Sequence, residues 1–150
     1  MVFALLVLAC FFAFFLTQHL KHTPTAVQLF KLTPYFSPTP TGHIKQERIS
    51  FRLARDDEAT VTIVNSSGAE VATLLRRHPV TRYKQLSLRW TGQRGTARGY
   101  ALVAGPNGQS ALQPKLHGPI APPGEYRVRV SLREQHRTVL SPRSFTLVRR

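Results

Sequence analysis

The chain is poor in cysteine. Cys10 is the only one in 150 residues, so no disulfide can close within the molecule. A domain of this length folds without such staples in any compartment, so the scarcity leaves location open. Acid is also scarce. Seven Asp plus Glu stand against 21 Lys plus Arg, a formal net charge of +14. That excess predicts attraction to polyanions: nucleic acid, anionic lipid or anionic wall polymer. Arginine outnumbers lysine. This fits either recognition of phosphate and carboxylate by the planar guanidinium or the codon bias of a GC-rich genome.

The chemistry-bearing motifs are missing too. The six histidines (His19, His22, His43, His78, His117 and His136) form no His-Glu-x-x-His pair, and no second cysteine joins them. There is no Gly-x-Ser-x-Gly elbow for a nucleophile. Gly92-Gln93-Arg94-Gly95-Thr96-Ala97-Arg98-Gly99 lacks the Gly-Lys-Ser/Thr ending of a phosphate loop and reads as a flexible basic loop. Asp56-Asp57-Glu58, the only acidic cluster, lacks the alternating oxygens of a calcium loop and reads as a solvated hairpin turn. The expectation is therefore a non-enzyme with no cofactor and no metal.

What the chain does have begins at its N-terminus. Val2, Phe3, Leu5, Leu6, Val7, Leu8, Phe11, Phe12, Phe14, Phe15 and Leu16 lie in an unbroken apolar run closed by Leu16. Val2 to Leu20 as a helix spans roughly 28 Å, near the ~30 Å hydrocarbon core. The reading is a transmembrane membrane anchor over residues 1–22. Two other readings compete with it. A cleaved signal peptide wants a basic start and small residues at its end, and neither is present. Val7-Leu8-Ala9-Cys10 suggests a lipoprotein signal, but six more apolar residues follow Cys10. Lys21 and Lys31 follow the span, which by the positive-inside rule draws the remainder toward the cytoplasm.

Residues 23–42 are rich in proline and threonine and read as a stalk, with Val27 to Leu32 as a short edge strand. From residue 43 the period is two. Ile49, Phe51 and Leu53 alternate with polar residues, as do Val61 and Ile63, then Leu86, Leu88 and Trp90, then Tyr126, Val128, Val130 and Leu132, then Phe145 and Leu147. Turn residues fall between them at Asn65-Ser66-Ser67-Gly68, Pro106-Asn107-Gly108 and Pro122-Pro123-Gly124. The expectation is an all-β two-sheet sandwich over 43–150 with an inserted hairpin near 93–121.

The order of features resembles the bacterial immunoglobulin-like domain of the flagellar hook-capping protein type, as found in cell-surface proteins. The resemblance rests on Phe36-Ser37-Pro38, on Ile49-Ser50-Phe51-Arg52-Leu53 and on the hairpin from Val61 to Leu74. It continues through Leu88-Arg89-Trp90-Thr91-Gly92 to Pro122-Pro123-Gly124-Glu125-Tyr126-Arg127-Val128-Arg129-Val130. Two departures stand out. Pro38-Thr39-Pro40-Thr41-Gly42 carries no carboxylate, and Thr91 replaces the family's Asp. The resemblance implies a structural or binding module displayed outside the cytoplasmic membrane. Basic residues before Met1 would reconcile that side with the charges after the helix.

The outward positions supply one candidate site. Arg127, Arg129 and Arg133 lie outward along one predicted strand, and Arg52 and Arg89 on others. If those strands share a sheet, they form an arginine-studded face for an anionic partner. The partners expected are a membrane and a cell-envelope protein or anionic polymer. Nucleic acid is disfavoured, because Phe51, Trp90, Tyr126 and Phe145 are in phase with the core rather than exposed for stacking.

Overall fold

The computed structural model describes residues 1–21, 25–105 and 108–149. It begins with a helix, α1 (Val2–Lys21). The strands that follow are β1 (Val27–Leu32), β2 (Tyr35–Phe36), β3 (Glu47–Leu53), β4 (Asp57–Asn65), β5 (Glu70–Val80) and β6 (Leu86–Trp90). The second half holds β7 (Gly95–Thr96), β8 (Tyr100–Ala104), β9 (Ser110–Pro114), β10 (Gly124–Leu132), β11 (Arg137–Leu140) and β12 (Phe145–Leu147).

The side chains of α1 are exposed from Val2 through Leu16. That apolar stretch covers about 22 Å of helix, short of the ~30 Å hydrocarbon core. Among the described residues no helix is long and apolar enough to cross a membrane. The expected transmembrane helix is therefore corrected to an exposed apolar helix, since its polar C-terminal residues take up the remaining length. Thr17 to Lys21 have no described side chains. His22, Thr23 and Pro24 lie outside the described residues, as do Pro106 and Asn107 of one expected turn.

The strands form two mixed sheets packed as a β-sandwich. The first runs β1-β3-β6-β9-β8, and the second β2-β12-β10-β4-β5-β7 with β11 beside β10. The apolar members of each series turn inward, with Leu86 half-buried, while Thr62, Ser87 and Arg89 among their polar neighbours are buried as well. Ile49, Phe51, Leu53, Val61, Ile63, Leu88, Trp90, Val128, Val130, Phe145 and Leu147 are all buried. Trp90 anchors an aromatic cluster, with ring centroids 5.6 Å from Phe36, 5.8 Å from Tyr126 and 5.9 Å from Phe145. Each such buried side chain contributes about 1.5–3 kcal/mol.

Turns close as the sequence suggests. Asn65 Oδ1 accepts the Ser67 and Ala69 amides, and Gly68 takes φ 83°. The Tyr126 hydroxyl donates to the Pro122 carbonyl at a corner between strands. Residues of the proline-rich stretch are woven into the sandwich rather than held away from it, for β1 pairs with β3 and β2 with β12. The basic loop after Gly92 contains β7, which pairs in parallel with β5.

Of the acidic cluster, Asp56 is exposed in the turn before β4, but Asp57 is not solvated. Asp57 belongs to β4 and is buried. Its carboxylate accepts the amides of Glu58, Glu134 and Gln135 and the side chain of Gln135, which ties β4 to the turn after β10.

Candidate anion-binding face

Side chains alternate along β3, so Glu47, Ile49, Phe51 and Leu53 face the core while Arg48, Ser50 and Arg52 face out. Pairing with β6 sets Arg48 directly opposite Arg89, and Ser50 opposite Ser87. Pairing with β1 sets Lys31 opposite Ser50, and Gln28 opposite Arg52. The outer face of the first sheet thus carries three rows: Arg48 with Arg89, then Lys31 with Ser50 and Ser87, then Gln28 with Arg52. Rows on one face lie about 7 Å apart along the strands. A bulge in β1, where Leu29 takes φ 50°, swings Phe30 inward onto Phe51 and brings Lys31 back to the outer face.

Among the described residues no carboxylate forms an ion pair on this face. The ion pairs among the described residues are Arg129 with Glu70 and Arg133 with Glu58, both on the other side of the molecule. Like charges directly opposite in a sheet repel. Arg89 is 8% exposed, and burial, then the neighbouring Arg48, holds its guanidinium below the usual value. The Arg52 Nε is buried with no hydrogen-bond partner, while the guanidinium carbon lies 5.7 Å from the centre of the Tyr83 ring. Uncompensated arginine with unspent donors is what a carboxylate or phosphate group would satisfy.

The five arginines singled out in the sequence do not share a sheet. Arg52 and Arg89 lie on the first sheet, Arg127 and Arg129 on β10 of the second, and Arg133 just beyond β10. The second set is partly neutralised. Arg129 meets Glu70, and Arg133 Nη1 lies 2.8 Å from Glu58 Oε2. A cleft of about 430 Å³ beside Arg127 and Arg129 also includes Glu125. Sequence reasoning missed Arg48 and Lys31, because their nearness to Arg89 and Ser50 comes only from strand pairing. It had one available signal: residues 71–124 hold eight Lys and Arg and no Asp or Glu.

Among the described residues no three His, Cys, Asp or Glu side chains gather as a metal site. No protein-family model matches the chain, and no curated protein matches it.

Proposed function

We propose that this chain is a membrane-anchored, immunoglobulin-like interaction module, without catalysis, that holds an anionic partner on the outer face of its first sheet. The observation that carries the reading is the Arg48–Arg89 pair, two arginines opposed across a ladder with no ion-pair partner among the described residues. The anchor is α1. A helix apolar on every side belongs in an apolar phase, and its side chains through Leu16 are exposed, so lipid embeds it. The resemblance to immunoglobulin-like cell-surface domains favours display beyond the cytoplasmic membrane, against a cell-envelope protein or an anionic polymer. Nucleic acid fits less well. Phe51, Trp90, Tyr126 and Phe145 are buried, and the exposed Tyr83 ring is already engaged by Arg82 and Arg52.

The test uses the full chain in phosphatidylcholine nanodiscs, with polyglutamate and polyphosphate as probes. Binding is expected to weaken steeply with salt and to be lost in the triple variant Lys31→Gln, Arg48→Gln, Arg52→Gln. It should persist in Arg127→Gln, Arg133→Gln. The reverse ranking, or no binding at all, removes the reading. A reporter fused after Arg150 and active only on the cytoplasmic side overturns the assigned side.

A further inference from the structure

Among the described strands, β8 presents an uncharged apolar sheet edge. In the β8–β9 hairpin, the Lys115 amide donates to the Gly99 carbonyl at one end, and the Gly105 amide donates to the Gln109 carbonyl at the other. With Ala101 opposite Gln113 and Val103 opposite Ala111, the odd-numbered residues of β8 aim their backbone groups at β9. Tyr100 and Leu102 therefore aim their N–H and C=O groups away from the hairpin. No described strand lies on that side, because β8 ends the first sheet.

The other sheet borders are blunted. β1 carries a bulge and Lys31, β2 and β7 are two residues long, and the four-residue β11 opens on the exposed Arg137. The last part of β5 holds Arg76, Arg77 and Pro79. β8 reads Tyr-Ala-Leu-Val-Ala, with no charge, proline or glycine, and Leu102 is 68% exposed. Below it, a cleft of about 460 Å³ opens between β5 and the hairpin, with Pro79, Leu86, Leu102 and Leu112 among its walls. A strand laid along β8 would place alternate side chains over this cleft.

The charge around the edge selects the occupant. Arg98 and Lys115 flank the hairpin base, Lys84 lines the cleft, and Arg76 lines the adjoining hollow beneath Tyr100. No acid lies anywhere in residues 71–124, so a second copy of this +14 chain would meet repulsion.

We infer that β8 receives, by strand addition, an extended segment of an acidic partner protein whose apolar residues alternate with carboxylates. Main-chain bonds to Tyr100 and Leu102 hold the segment, and the surrounding cations hold its charged edge. This surface is separate from the Arg48–Arg89 face and does not depend on it.

The test uses the full chain in phosphatidylcholine nanodiscs with three peptides. One alternates Glu and Val over seven residues, one alternates Lys and Val, and one is the Glu-Val peptide with a central Pro. Hydrogen exchange at Tyr100 and Leu102 should slow with the Glu-Val peptide alone. Leu102→Pro removes an amide that β9 does not use, so the hairpin stays paired, and binding should weaken roughly tenfold or more. Leu102→Lys, which leaves the amide in place, should weaken it less. Equal binding of the Lys-Val peptide, or binding unaffected by Leu102→Pro, overturns the inference. So does self-association of the chain through β8 without peptide, abolished by Leu102→Pro. The triple variant of the outer face should leave peptide protection at β8 intact, which separates failure here from failure of that face.

Discussion

Glu47 lies directly opposite Trp90 across the β3–β6 ladder, and both side chains are fully buried. A carboxyl group thus occupies a core position beside the largest aromatic of the molecule. Neither of its oxygens has a hydrogen bond of ordinary geometry. Burial pushes it up to about 8, and the Thr33 backbone pulls only partly against that. Arg48 is adjacent in sequence but faces the other way, so it offers no compensation.

The consequence is a stability that falls as pH rises through neutrality. Below the unfolded value near 4.5, Glu47 is protonated in both states and adds no pH dependence. Between about 4.5 and 8 the unfolded chain gives up a proton that the folded chain keeps, so unfolding is favoured. Glu47→Gln should flatten this slope and stabilise the fold by roughly 3 kcal/mol at pH 7. Urea unfolding at pH 4.5, 6 and 8 measures both effects. A wild-type slope that Glu47→Gln leaves unchanged contradicts the assignment.

Asp57 titrates in the opposite sense. Burial alone would raise it, but the Glu134 and Glu58 amides, the Gln135 side chain and the Gln135 amide outweigh that and hold it below the ordinary carboxylate value. Its contribution is present above the unfolded value and disappears as pH falls through the folded one. Asp57→Ala strands these donors and should cost about 2 kcal/mol at pH 6. The difference from wild type should shrink in strong acid, as read by thermal unfolding.

Much of this was legible in the sequence, and the exceptions have physical causes. The inward phase of Ile49 to Leu53 and of Tyr126 to Leu132 follows from a period of two with apolar residues on one side. The same phase places Glu47 inward, yet its residue type gives no reason to extend the strand that far. The tail of β5 was hidden for a related reason. Arg76, Arg77 and His78 break the alternation, and Arg77 adopts φ 47°, so the register shifts there. Asp57 looked solvated because its partners, Glu134 and Gln135, lie far along the chain. The meeting of Arg48 and Arg89 needs the β3–β6 register, which composition cannot supply.

The Arg48–Arg89 opposition makes a salt-dependent prediction. Arg48→Gln should raise the melting temperature at low ionic strength, because it relieves like-charge repulsion. The gain should fade as sodium chloride is added. Inorganic phosphate should stabilise the wild type more than the variant. Identical phosphate responses would mean that no anion settles between these groups.

The Tyr126 hydroxyl offers a more local test. Its bond to the Pro122 carbonyl pins the entry to β10, while the ring meets Trp90 edge-on and packs tilted against Phe145. Tyr126→Phe keeps the ring and should cost about 1 kcal/mol in chemical denaturation.

Gly92 sits at φ 87°, and a Cβ there would lie 3.4 Å from Leu147 Cδ1 and 3.5 Å from Phe36 Cε2. Gly92→Ala should therefore destabilise by roughly 1–2 kcal/mol, mainly through backbone conformation rather than collision. Differential scanning calorimetry reads the loss.

The parallel pairing of β2 with β12 joins one of the earliest strands to the last. The Thr146 amide donates to the Pro34 carbonyl, and the Val148 amide to the Phe36 carbonyl. On the ribosome, Phe36 emerges long before the strand that completes its border. The sandwich can therefore close only once Leu147 has left the ribosome, and a chain cut short before Phe145 would leave Phe36 without its cover, prey for proteases and chaperones.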